Sequence, residues 1–363
     1  MKYIDEFRQP ELAKKLVDRI HHHSTKHIRL MEFCGGHTVS IFKYGIRELL
    51  PETIEMLSGP GCPVCVTSNA DLDKSIAFAH LPDIIVTSFG DMIRVPGSQS
   101  SLQSARSEGC DVRIVYSVMD AIQIAKENPD KSVIFIGIGF ETTTPTVAAG
   151  IIQAEQEKIS NFYILSLSKI CPPIMKSILD LGEVRLHGII CPGHVSAVIG
   201  SHPYQFIADD YDISCVISGF EPLDILLCVD MLVDQIENED YKVEIAYRRG
   251  VKPEGNLQAI KLMDTVFETA DADWRGIGIV PSSGLRLRDT YEKFDAEKNF
   301  DIDPGPVREH QGCQCGSILR GISIPLDCPL FRTSCTPEHP VGPCMVSSEG
   351  SCSTYYQYGD FNG

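Results

Sequence analysis

Short apolar runs alternate with amphipathic stretches along most of this chain. Leu12, Leu16, Val17 and Ile20 share one face at helical spacing, so an amphipathic helix is predicted to open it. The run Ile28-Arg29-Leu30-Met31-Glu32-Phe33 then reads as a strand ending at Cys34. Further strands are predicted over 84–87, 112–116, 133–138, 161–167, 188–191 and 214–217, with helices between them over 71–79, 119–126 and 145–157. Short apolar strands alternating with helices predict an α/β fold of parallel sheets covered on both faces. The expected organisation is an α/β domain over 1–120, a second over 121–240, a cleft between them, and an irregular cysteine-rich domain over 241–363. Ile84 to Asp91 and Val133 to Glu141 each run from an apolar strand to glycine and an acidic residue. This likeness is expected to mark two related halves. Beyond Glu237 the pattern becomes irregular, and after Pro304 it is rich in Pro, Gly, Ser and Cys. Few aliphatic residues lie between Cys313 and Gly363, so this tail is expected to fold around an inorganic staple.

Charge narrows the function classes. The chain has 363 residues, with 32 Lys and Arg against 49 Asp and Glu, a formal net charge of -17. Such a surface repels phosphate backbones, so no nucleic-acid partner is expected. No apolar run reaches the roughly 20 residues that span a bilayer, and the first twenty lack a secretory core. A cytoplasmic protein without a membrane partner is expected.

The 14 cysteines change the picture more. In a large chain without an export signal, clustered thiols point to metal or redox chemistry rather than disulfides. Cys110, Cys171, Cys191, Cys215 and Cys228 are scattered through apolar or mixed segments and read mostly as small core residues. Cys34-Gly-Gly-His37-Thr sits at the carboxyl end of a predicted parallel strand, where open α/β sheets place ligand crevices. Cys34 offers a soft thiolate and His37 an imidazole ligand or proton carrier. The plainer alternative is a buried cysteine before a tight turn. Gly59-Pro-Gly-Cys62-Pro-Val-Cys65 holds two thiols close enough to form a disulfide or chelate a metal ion. Half of a zinc knuckle is the other reading, although no second pair lies nearby to complete it.

The tail holds Cys313, Cys315, Cys328, Cys335, Cys344 and Cys352. Their wide, uneven gaps lean towards an iron–sulfur cube wrapped by loops, with zinc as the alternative and six thiols for four places. Two further strand ends look like site walls. Around Glu141, the run Gly137 to Pro145 offers either a helix N-terminus for a small anion or ordinary capping by Thr143 or Thr144. Cys191-Pro-Gly-His194-Val-Ser places His194 towards the same crevice or in a structural loop. His21, His22 and His23 read as a solvated helix end.

Taken in order, these motifs resemble the HypD family of hydrogenase maturation factors. The resemblance rests on Cys34-Gly-Gly-His-Thr, Gly59-Pro-Gly-Cys-Pro-Val-Cys65, Gly139-Phe-Glu-Thr-Thr-Thr-Pro145 and Pro192-Gly-His-Val-Ser196. Cys313-Gln-Cys-Gly, Cys328-Pro-Leu-Phe and Gly342-Pro-Cys-Met-Val-Ser-Ser-Glu-Gly350 complete it, and it spans 28–358. It implies a scaffold and redox protein for assembling the Fe(CN)2CO unit of nickel–iron hydrogenases. The implied partners are HypC, which shares the iron, and HypE, which donates cyanide within a transient complex. The finished unit passes to the hydrogenase large-subunit precursor. By motif match Cys34 is the iron-facing thiolate, His37 lies beside it, and Cys62 and Cys65 are a redox-switching pair able to contact the metal. The family spacing x14, x6, x16 implies a 4Fe–4S cluster on Cys313, Cys328, Cys335 and Cys352, with Cys315 and Cys344 as the possible substitutes. The competing reading is an iron–sulfur-dependent thiol–disulfide oxidoreductase.

Overall fold

The computed structural model describes residues 5–359. Two parallel sheets organise it. The first takes β1 (Ile28–Glu32), β2 (Ile54–Ser58), β7 (Gly188–Pro192), β8 (Ser214–Ser218) and β9 (Val243–Ile245) in the order β2-β1-β7-β8-β9. The second takes β3 (Ile84–Ser88), β4 (Asp111–Ile114), β5 (Ser132–Gly139) and β6 (Phe162–Ser168) in the order β4-β3-β5-β6. All pairings within these two sheets are parallel. Every residue of β3, β7 and β8 is buried, as expected of strands covered by helices on both faces. The opening helix, Pro10–His23, lays Leu16, Val17 and Ile20 into the core of the first lobe. The α/β class and its parallel sheets are therefore as the apolar pattern predicts.

The sheets cut across the expected linear division. The chain builds β1 and β2 in the first lobe, crosses to build β3 to β6, and returns for β7 to β9. Residue 120 lies inside the second lobe's helix Val118–Glu127, and residue 240 lies between a helix and β9 of the first sheet. Strand order along a chain carries no information on which sheet accepts the next strand, so a linear reading misplaces both boundaries. For the same reason the two similar segments do not mark separate halves. They form β3 and β5, hydrogen-bonded neighbours in one sheet.

The stretch after 237 is also more ordered than its composition suggests. An antiparallel hairpin, β10 (Phe267–Trp274) and β11 (Gly278–Leu287), joins the second lobe to the Cys62 segment. Ile170 N–H donates to Ser283 O at 2.8 Å, and Arg275 N–H donates to Val66 O at 3.0 Å. Trp274 is fully buried beneath it and donates its indole N–H to Ser283 Oγ at 2.7 Å. The tail shares its apolar contacts with the second lobe. Ile318, Leu319, Phe331, Met345 and Val346 belong to one continuous core with Val86, Ile134 and Ile136. Its last helix, Ser351–Tyr358, reaches the first lobe, where Tyr355 packs on Phe42 with ring centroids 4.3 Å apart.

Candidate functional site

Cys34 stands two residues beyond β1, at the N-cap of the helix Gly35–Lys43. Its thiol stands at a helix start, an arrangement that favours a thiolate, although it makes no side-chain capping bond. Burial and the carboxyls of Glu349 and Glu32 work against this and push its pKa up to about 12. The free side chain is therefore a thiol at neutral pH. Glu32 supports the turn from below: its Oε2 accepts Cys34 N–H at 2.8 Å, and its Oε1 accepts the Thr38 hydroxyl. His37 is fully buried, donates Nε2–H to Gly219 O at 2.9 Å and stacks on Phe220. Burial lowers its pKa to about 4, so the ring is neutral and its Nδ1 lone pair has no partner among the described residues. His194 stacks on the same phenylalanine at 3.9 Å, which places it in this crevice.

The loop Gly59–Cys65 is the first crossing between lobes, and it runs directly against Cys34. A Cβ on Gly61 would lie 2.3 Å from the Cys34 nitrogen, so glycine alone allows this approach. Cys62 caps the short helix Pro63–Val66, its sulfur accepting Cys65 N–H at 3.3 Å. Both thiols are buried, and burial together with hydrogen bonds to Cys62 and Cys344 pushes the Cys65 pKa well up. Cys344 is one of two tail cysteines, with Cys315, that the sequence leaves outside the implied ligand set. It receives hydrogen bonds from Cys65, Cys315 and Cys352, which draws its pKa well below the ordinary thiol value. A chain of sulfur contacts thus runs from Cys62 through Cys65 and Cys344 to the tail.

In the tail, Cys313, Cys315, Cys328, Cys335 and Cys352 line one small, closely packed pocket with Ile318, Phe331 and Met345. A Cβ on Gly342 would lie 2.8 Å from Cys313 Sγ and 2.9 Å from Cys315 Sγ, so the glycine leaves this wall open. Several soft donors around one apolar space fit an iron–sulfur cube. Among the described residues no three His, Cys, Asp or Glu side chains converge tightly enough to hold a single metal ion.

Comparison with known proteins settles the family. The family model for HypD, described as the hydrogenase formation hypA family, matches residues 11–359. The hydrogenase maturation factor HypD2 of Bradyrhizobium diazoefficiens is 46% identical, covering 99% of this chain and 98% of its own. The chain belongs to the HypD family. The hydrogenase maturation factor HypD of Escherichia coli K12 is 43% identical, over 99% of this chain and 98% of its own. A putative hydrogenase expression/formation protein of Methanocaldococcus jannaschii is 46% identical over 96% of this chain and 97% of its own. A role in hydrogenase maturation follows from this membership, and no helix among the described residues is long and apolar enough to cross a membrane.

In this HypD-family chain the other cysteines divide. Cys215 and Cys228 are buried core residues, and Cys110 is partly exposed beside His80. Cys171 is different, because it starts the helix Cys171–Leu181 on the return crossing and its thiol senses Cys34. Its backbone N–H donates to Glu141 Oε1 at 2.9 Å. Glu141 therefore serves a second helix start, while Thr144 turns its hydroxyl back to Phe140 O and Thr143 makes no capping bond. The signal for Glu141 and Cys171 lay in their strand-end positions, but only the return crossing brings them together.

The two buried carboxyls give the protein a definite pH dependence. Burial raises Glu32 to about 8 and Glu141 to about 7, against an ordinary value near 4.5. Between these limits the folded state binds more protons than the unfolded one, so stability falls as pH rises. The melting temperature is expected to drop from pH 5 to pH 8, and Glu32→Gln should flatten that slope. An unchanged slope in the variant would remove Glu32 as a source.

Proposed function

We propose that this chain is the cytoplasmic scaffold on which the Fe(CN)2CO unit of nickel–iron hydrogenases is assembled. Cys34 anchors the cargo iron, HypC completes the binding site from outside, and HypE supplies cyanide while docked to that pair. The hydrogenase large-subunit precursor receives the product. The observation that carries this reading is the contact of the Gly61–Cys62 loop with Cys34, which sets a dithiol beside a crevice cysteine. Low-spin iron with cyanide and carbonyl ligands is soft, and thiolate suits it. On the same helix start, the buried His37 keeps a neutral ring.

Releasing cyanide from a protein-bound thiocyanate breaks its S–C bond, consumes two electrons and leaves thiolate and cyanide. Oxidation of Cys62 and Cys65 to a disulfide supplies two electrons and releases two protons. Returning that disulfide to the dithiol takes two electrons and two protons, which an external dithiol reductant would supply, and Cys344 beside Cys65 would carry the intermediate mixed disulfide. Cys313, Cys328, Cys335 and Cys352 would hold a 4Fe–4S cluster, which would supply single electrons when bound. Thiol trapping at controlled potentials tests the dithiol. Cys62 and Cys65 should change together in one two-electron step. A pair that stays reduced under mild oxidant, with iron content preserved, contradicts the redox role and leaves metal binding as its use.

A further inference from the structure

Arg275 sits at the tip of the β10–β11 hairpin, where the dithiol segment and the tail meet, and the proposed assembly chemistry gives it no role. One side of the residue is tied to the end of the Cys62–Cys65 turn. Its backbone N–H donates to Val66 O, its Nε–H donates to Thr67 O at 3.0 Å, and its Nη2 donates to Asn69 Oδ1. The next residue presses on the tail. A Cβ on Gly276 would lie 2.1 Å from the Cα of Gly316, the residue after Cys315, and Gly276 takes a φ of +70°. The hairpin tip therefore packs backbone to backbone on the start of the Cys315–Leu319 helix.

Arg275 is 5% exposed, and burying a cation is costly unless an anion is buried with it. Backbone and amide oxygens satisfy its donors without neutralising its charge. Among the described residues its one carboxylate partner is Glu309, at 3.5 Å and 64% exposed, so solvent screens most of that pair. Lys169, a buried cation near the same Trp274, is matched differently. It has Asp71 at 3.7 Å, and that carboxylate is only 14% exposed. The unmatched charge of Arg275 lies beside the tail thiols. A hydrogen bond with Cys315 and burial push the Cys313 thiol up, and the Arg275 charge acts against both. Four thiolates around a 4Fe–4S cube leave that group with a net negative charge, which is the countercharge this arginine lacks. Resting on the reading that the tail holds such a cluster, we propose that Arg275 is a positioning residue that raises the cluster's reduction potential. Its positive charge favours the reduced cluster, which is the more negative state, and net charge is one of the quantities that set such potentials. Its hydrogen bonds hold that charge between the cluster and the Cys62–Cys65 turn.

The test is an anaerobic redox titration of the full-length protein, following the electron paramagnetic resonance of the reduced cluster, with iron and sulfide counted first in every sample. Arg275→Gln should keep its iron and shift the midpoint to a more negative potential. Arg275→Lys keeps the charge but loses the planar fork of donors, and its midpoint should stay close to that of wild type. Glu309→Gln removes the one carboxylate beside the guanidinium at an exposed position, and should shift the midpoint by a smaller amount in the positive direction. An unchanged midpoint in Arg275→Gln at full iron would overturn the proposal and leave the cluster assignment standing. Equal shifts in both Arg275 variants would do the same, because they would assign the effect to loosened packing. Should Arg275→Gln fail to fold, Glu309→Gln decides, and a midpoint that does not rise there overturns the proposal. Wild-type protein without iron and sulfide would overturn the cluster reading and this proposal together.

Discussion

Replacing Cys328 or Cys335 with alanine is expected to empty the tail of iron and sulfide. Anaerobic wild-type protein should be brown and carry about four irons and four sulfides in this segment, whereas each variant should lose most of both. The two cysteines lie on loops with little regular structure. Cys328 follows a single 3-10 turn, and Cys335 is held through Phe331 and a contact from Val341 N–H at 3.4 Å. A group bound among these thiols would hold both loops against Cys313 and Cys352. Loss of that group should open 305–345 to proteolysis. The two lobes should stay folded, because Ile318, Leu319, Met345 and Val346 remain buried in the second lobe's core. Cys315→Ala should keep its iron, since Cys315 contacts Cys344 and Cys352 and is the fifth thiol of the lining. Full iron in both the Cys328 and Cys335 variants would remove them from the ligand set.

Cys34→Ala is expected to abolish cargo assembly while leaving the fold and the tail iron intact. The side chain is only partly buried, and its replacement removes no large apolar contact. Its N–H bond to Glu32 persists in any variant, because the backbone makes it. Cys34→Ser is the sharper variant. It preserves size, but puts a hard and poorly ionised oxygen where soft iron needs a thiolate. Both variants should therefore fail at the cargo, with normal melting behaviour and normal tail iron.

Most of the fold was legible wherever burial on both faces made the pattern simple. The strands β3, β5, β7 and β8 are near-continuous apolar runs, and a sequence reading finds them within a residue or two. The hairpin β10–β11 was not legible. Its strand Phe-Glu-Thr-Ala-Asp-Ala-Asp-Trp alternates weakly, and its burial depends on tertiary partners such as Ser168–Ile170 and Val66. The site was legible at Cys34, Cys62 and Cys65 because paired glycines and a C-x-x-C spacing are local signals. Glu141 was legible only as a strand-end position, and the contacts that Cys344 and Glu141 make were not legible. Their surroundings come from the two lobe crossings and from the tail folding back, which bring residues hundreds of positions apart into contact. The tail also hid its own anchoring, because its few aliphatic residues are spent on another lobe's core rather than on one of its own.

Infrared spectroscopy of the anaerobic complex with HypC, prepared in parallel from wild-type and Cys34→Ala protein, tests the central claim most directly. Wild type should display bands of iron-bound cyanide and carbonyl. The variant, at the same HypC occupancy and the same tail iron content, should display none of them. Wild-type bands from Cys34→Ala would contradict the account, place the cargo iron elsewhere, and make Cys62 and Cys65 the next anchors to replace.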